Sequence, residues 1–286
     1  LTTFKFTPDQ VERANTVAEA ALRFEKSVGY PLGVAVVRHH FGDGTAQDVI
    51  AELKPFQNAD GGFGNGLEVD IASHASNPFA ARLAMSVLLS LREAPEDKLV
   101  TRLGEWLNSS QADDGDWHFS KEVREDSLAP WFAAWTFPSL NPSCCVTGLG
   151  HALGLLSDRT LARTAGLFEE MASPDEARTG EFYNVLPYIE YFSSIEHPGR
   201  DQYRDAISEN INSSTYEDAS HFFDHALGGG PDLVKRIDAS VLSTWADRLL
   251  AEPAEDGGWP NPYSESWRPF ATAGAVMTLA KLRDGV

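Results

Sequence analysis

Glu68 and Asp70, two carboxyl groups on either side of Val69, are the pair in this chain best suited to acid–base work, and His74 lies close behind them. Neighbouring carboxyls can divide that work. The charge of one raises the pKa of the other, so one holds a proton while its neighbour stays ionised. Solvated loops and helix caps use the same residues for ordinary ends. His221 and His225 stand at i and i+4, on one face of a helix, a spacing that suits a metal pair. The Glu of a His-Glu-x-x-His motif is missing, and only Asp218 or Asp224 offers itself as a third ligand, so neither a metal nor a cofactor is expected. His39-His40 with Asp43 makes a weaker cluster. The chain has no Gly-rich phosphate loop, no Gly-x-Ser-x-Gly elbow and no Cys/His nucleophile pair.

Aromatic residues crowd three segments. Trp131, Phe132, Trp135 and Phe137 form one, Trp259, Tyr263, Trp267 and Phe270 another, and Phe182, Tyr183, Tyr188, Tyr191 and Phe192 the third. Aromatic walls suit an isoprenoid, whose cationic intermediates they attract, and with nearby carboxylates they suit sugars too. Core packing is the ordinary use of such residues.

The elements that must position these groups read as helices throughout. Thr7-Pro8-Asp9-Gln10 combines a capping box with Pro at the first helical position, and Gly29 ends the run. Thr45-Ala46-Gln47-Asp48 opens a helix that reaches about Phe56. Further helices are expected at 95–108, 158–171, 181–195, 200–211, 218–226 and 232–251. About eleven or twelve helices result, and no segment alternates as a strand does.

One pattern recurs. Gln57-Asn58-Ala59-Asp60-Gly61-Gly62-Phe63 returns as Gln111-Ala112-Asp113-Asp114-Gly115-Asp116-Trp117 and as Glu255-Asp256-Gly257-Gly258-Trp259. Each copy makes an Asp-Gly turn with an aromatic behind it, and each precedes an apolar helix opened by Asn77-Pro78, Asn141-Pro142 or Arg268-Pro269. A helix apolar all round is buried on both sides.

This pattern resembles the repeat of terpenoid cyclases and protein prenyltransferase β-subunits, over residues 57–93, 111–156 and 255–283. The resemblance implies a single-domain, all-α α/α toroid, with about six inner helices inside an outer ring and a ligand in the central cavity. It further implies a hydrophobic, isoprenoid-type small molecule, bound or converted by acid-initiated cyclisation or isomerisation. The Asp-x-Asp-Asp motif of the class II cyclases is missing, since Ala75-Ser76-Asn77-Pro78 occupies its place. Glu68 and Asp70 are then the substitute acid. His74, Asn77, Trp131, Trp135, Asn141, Trp259, Tyr263 and Trp267 are the expected substrate-binding residues. The Asp, Cys and His of a prenyltransferase zinc site have no counterpart here. Two alternatives stay open: a carbohydrate-active lyase or hydrolase on the same toroid, and a non-catalytic toroid that binds a ligand or partner.

Bulk composition bounds these readings. The 286 residues carry a net charge of −19, which repels phosphate backbones and anionic membrane surfaces, so neither nucleic acid nor a membrane is an expected partner. No apolar run is long enough to span a bilayer. Cys144 and Cys145 are adjacent in an apolar stretch and read as reduced, buried thiols, pointing to the cytoplasm. The chain begins with Leu1 rather than Met, which leaves room for a removed leader.

Overall fold

Capping chemistry sets where the helices begin. In the computed structural model, which describes residues 4–91 and 97–286, α1 (Pro8–Val28) starts on the expected reciprocal box. Thr7 Oγ1 accepts from the Gln10 N–H, and Gln10 Oε1 accepts from the Thr7 N–H. Gly29 ends α1 at φ 69°, in the left-handed region where a glycine costs least. Pro31 at once opens α2 (Pro31–Phe41), a helix that the sequence pattern does not announce. The order continues with α3 (Ala46–Leu53), α4 (Pro78–Ser90), α5 (Lys98–Ser110), α6 (Lys121–Glu125), α7 (Pro130–Ala133) and α8 (Leu140–Ala152). Next come α9 (Asp158–Met171), α10 (Pro174–Thr179), α11 (Phe182–Ser194) and α12 (Arg200–Ser213). The last are α13 (Ala219–Gly228), α14 (Pro231–Val234), α15 (Ala239–Ala251) and α16 (Arg268–Asp284). Among the described residues the fold is all-α, with two isolated β-bridges and no named strand.

The expected helix starts are met with two adjustments. The helix expected from Pro95 starts outside the described residues, and α5 is capped by Asp97, whose carboxylate accepts the Leu99 N–H. The span expected at 232–251 is broken into α14 and α15, with the four residues Lys235, Arg236, Ile237 and Asp238 between them. Asn77 caps α4 as expected, accepting the Ala80 N–H at 2.9 Å. Asn141 is non-helical (φ −102°, ψ 116°), as the residue before a proline is pushed to be.

Contacts divide the chain into two compact units. The terminal unit takes the residues up to Glu52 and Ser208–Val286, and the central unit takes Leu53–Ile207. In the terminal unit α1 packs on α2, α15 and α16, α2 on α16, and α13 on α15 and α16. In the central unit α8 packs on α4, α9 and α11. Gly148 permits the α8–α11 approach, because a Cβ there would fall 1.9 Å from the Glu190 carbonyl oxygen.

The three Asp-Gly turns share one geometry. Asp60, Asp114 and Asp256 each accept the N–H two residues on, at 3.0, 3.1 and 3.0 Å. Gly61, Gly115 and Gly257 hold φ of 96°, 90° and 91°. Each glycine presses on a helix backbone: the Arg102 carbonyl in α5, the Arg163 carbonyl in α9 and the Ala20 carbonyl in α1. Gln57 and Gln111 donate both within their own turn and to α5 or α9, through the Leu99 and Thr160 carbonyls. Phe63, Trp117 and Trp259 are buried behind the turns. The two indoles donate to the carbonyl ten residues back, Leu107 at 2.9 Å and Leu249 at 3.2 Å.

Candidate functional site

The loop between the first turn and α4 holds the carboxyl pair of the central unit. Asn65 takes φ 53° and bonds both Asn58 and His74, closing the loop on itself. Farther along, Ala72 N–H donates to the Ser127 carbonyl and Ala129 N–H to the Asp70 carbonyl, with Ile71 bridged to Leu128. This pairing pins the Glu68–Asp70 loop to the segment that leads into α7, which carries Trp131.

Glu68 is only 6% exposed, and its Oε1 accepts the Asp70 N–H at 3.1 Å. Burial pushes its carboxyl up to about 8, and the Asp70 charge adds to that. The Asp70 N–H and the Arg82 charge pull the other way without offsetting it. Burial therefore favours the neutral, proton-bearing form of Glu68. Asp70 is half-buried and His74 exposed.

Beyond Glu68 lies a polar network across three apolar helices. Arg82 on α4 meets Glu190 on α11 in a fork, Nε to Oε2 at 2.8 Å and Nη2 to Oε1 at 2.5 Å. The Glu190 carboxylate acts on Cys145 of α8, whose thiol is raised first by burial and then by that charge. Cys145 Sγ lies 3.9 Å from Asn141 Oδ1. The Asn141 amide in turn donates to the Tyr183 carbonyl at 3.4 Å. That carbonyl needs a donor because Pro187, four residues on, has no N–H to give it.

Sequence reasoning placed Glu68, Asp70 and Asn141 in a site and missed Arg82 and Glu190. A signal was present, since each is the only Asp, Glu, Lys or Arg in a helix otherwise apolar or neutral. A lone charge on a helix buried all round must find a partner inside.

The expected pocket aromatics divide by environment. Trp131 is 52% exposed and presents an open platform beside the carboxyl loop. Tyr183 is likewise exposed. Trp135 packs on Phe79 and Phe132, within a cluster that includes Ile71 and Phe119, and its indole donates to Ser139 at 3.3 Å. Asn77 is buried and committed to its cap.

The remaining three belong to the terminal unit. Trp259 is 1% exposed, with its indole spent on Leu249 and its backbone N–H on Thr272. It is a core residue with no face left for a ligand, because the turn behind which it sits drives it inward. Tyr263 is exposed and meets His221 edge-on, and Trp267 meets Phe270.

The two histidines point to separate partners. His221 Nδ1 bonds Asp218 at 2.8 Å, and His225 Nδ1 bonds the Tyr216 hydroxyl at 3.0 Å. Burial lowers the His221 pKa, but the Asp218 hydrogen bond and charge raise it further. Among the described residues no three His, Cys, Asp or Glu side chains converge as metal ligands. Nor is any described helix long and apolar enough to cross a membrane. Cys144 and Cys145 are free, buried thiols.

No family model, curated protein or solved structure matches this chain.

Proposed function

We propose that this chain is an α/α toroid that cleaves a polyhydroxylated, glycan-type substrate by general acid–base catalysis, with Glu68 as the acid and Asp70 as the base. The observation that carries this reading is the burial of Glu68 next to Asp70, whose N–H it accepts. A carboxyl held near 8 keeps its proton at neutral pH and can deliver it to a leaving oxygen. The same acid is a weak one for protonating an alkene carbon. Trp131 and Tyr183 offer exposed ring faces for sugar stacking, and the Arg82–Glu190 fork makes the neighbourhood costly to fill with hydrocarbon.

Several features support the toroid. In the central part of the chain the nearly apolar helices α4, α8 and α11 alternate with the more polar α5, α9 and α12, as inner and outer members of hairpins would. Each Asp-Gly turn packs on a polar helix, and the last packs on α1, the first in the chain, as ring closure requires. The same pattern supports the resemblance to the terpenoid cyclase and prenyltransferase superfamily.

The isoprenoid reading retains one supporting observation, the aromatic cluster of Phe79, Phe119, Phe132 and Trp135 into which Ile71 of the carboxyl loop packs. One experiment separates the readings. The chain and Glu68→Gln are incubated with a panel of neutral and acidic polysaccharides and, separately, with polyprenyl diphosphates and squalene. Product from a polysaccharide, reduced at least ~100-fold in the variant, is expected. A cyclised or isomerised prenyl product lost in Glu68→Gln, with every polysaccharide intact, would overturn the glycan reading in favour of the isoprenoid one. No turnover of either class leaves a binding role and sinks both.

A further inference from the structure

A second carboxyl, in the terminal unit, is buried without any partner. Glu25 near the end of α1 is 0% exposed, and neither Oε1 nor Oε2 has a hydrogen-bond partner. Among the described residues no other carboxylate has both oxygens buried and unpartnered. The carboxyl lies directly on the α2 backbone at Gly33, where a Cβ would fall 2.4 Å from Oε2. Any residue but glycine would displace it, so the sequence leaves room for a group that nothing in the unit satisfies. An unmet buried acceptor is a cost the fold can recover only through a ligand or a proton.

Glu25 also lines a cavity of about 410 Å³, the size of a small-molecule site. Tyr30, Val34, Ala35 and Ala51 supply an aromatic and aliphatic wall. The other charged groups on the wall are Lys26 on α1, Arg38 on α2, and Asp48 and Glu52 on α3. Arg38 is taken up by Asp43, at 2.9 and 3.1 Å, and Asp48 accepts the Thr45 N–H at 2.8 Å. With Arg38 neutralised, carboxylates outweigh cations around the cavity.

We propose that this cavity binds a small organic ammonium ion, a primary amine with a short apolar tail, whose N–H groups donate to the carboxyl oxygens of Glu25. A bare metal ion would need several oxygen ligands, and the wall is largely apolar beside a single buried carboxyl. An alkylammonium needs one strong acceptor and a place for its hydrocarbon, with the Tyr30 ring as an added cation-attracting face. Burial raises the Glu25 carboxyl to about 8, so it is neutral at pH 7 before the amine binds and gives up its proton to solvent as the ammonium enters.

The test is titration calorimetry on the full chain with butylammonium and phenethylammonium chloride. Butanol and sodium chloride serve as neutral and ionic controls. Saturable single-site binding, on the order of millimolar for probes this small, is expected for the amines alone. Glu25→Gln, which keeps the shape and removes the charge, should weaken it at least ~10-fold, or about 1.4 kcal/mol. Gly33→Ala, which crowds the carboxyl without changing charge, should do the same. If Gly33→Ala does not fold, Glu25→Gln decides alone. Binding unchanged in Glu25→Gln, equal heats from the controls, or no saturable heat from either amine would each overturn the proposal.

Discussion

Arg82 and Glu190, more than one hundred residues apart in sequence, close a two-pronged ion pair between α4 and α11 with N–O distances of 2.8 and 2.5 Å. Each is the only Asp, Glu, Lys or Arg on its helix, and Glu190 is buried while Arg82 is partly exposed. Removing Arg82 takes the fork away from a buried carboxylate, a loss of roughly 3–5 kcal/mol; removing Glu190, whose partner is partly exposed, should cost less. Arg82→Ala and Glu190→Gln should each lower the urea midpoint by the loss divided by the slope, Arg82→Ala by more, with the slope unchanged. Replacing both with Met and Leu should recover most of the loss. If Arg82→Ala is as stable as the parent, the pair is not what aligns α4 with α11.

The Asp-Gly turns give a second, more local test. Gly115 combines φ 90° with a backbone carbonyl, that of Arg163, only 2.5 Å from where a Cβ would stand. Gly66 also has positive φ, 76°, but nothing within 4 Å. Gly66→Ala should therefore cost only the left-handed strain of an L residue, about 1–2 kcal/mol. Gly115→Ala must also push the turn off α9 and should cost at least about 2 kcal/mol more. Equal thermal shifts for the two variants would mean that the turn does not bear on α9.

These turns are legible in the sequence because their signal is local. Asp for the side-chain bond, Gly for positive φ and an aromatic behind them lie within seven residues or fewer, and the sequence shows all three copies. Helix starts are legible for the same reason, from Thr7-Pro8 and Asn77-Pro78. The site is less so. Glu68 can be named, but its protonation follows from burial, which no spacing reports. Arg82 and Glu190 are partners across 108 positions, and only their isolation in apolar helices hints at them. Trp259 reads as a pocket wall because residue type cannot tell a ring turned inward from one turned to a ligand.

Burial separates the tryptophans experimentally. Trp259→Phe removes an indole donor to the Leu249 carbonyl and leaves a void, which together should cost about 1–3 kcal/mol. Trp131→Ala changes an exposed ring and should stay within about 0.5 kcal/mol of the parent. Substrate turnover should show the reverse, with Trp131→Ala impaired and Trp259→Phe near normal at temperatures where it is folded. A stability loss in Trp131→Ala larger than that in Trp259→Phe would contradict this assignment.

Three buried acids should shape the stability of the protein against pH. Burial raises Glu25 and Glu68 to about 8 and Asp116 to about 7, the last despite the backbone N–H groups of Ser139 and Trp117 that favour its charged form. Each folded-state pKa lies above its unfolded value, so between the two the folded chain binds more protons. Stability from these groups is therefore complete below about pH 4, falls as pH rises, and is exhausted above about 8. A tenfold difference in proton affinity between the folded and unfolded chain is worth about 1.4 kcal/mol, which places the loss at roughly 3–5 kcal/mol per group across the window. Glu68→Gln and Glu25→Gln cannot ionise, so each should flatten the decline by its own share and be more stable than the parent at pH 9. Urea melts from pH 4 to 9 measure this directly. In the proposed reaction, turnover should also fall as pH rises through about 8, when Glu68 loses the proton it must donate. A stability profile that rises from pH 5 to 8 in the parent, and is unaltered in Glu68→Gln, would show that Glu68 is ionised in the folded chain and unfit to be the acid.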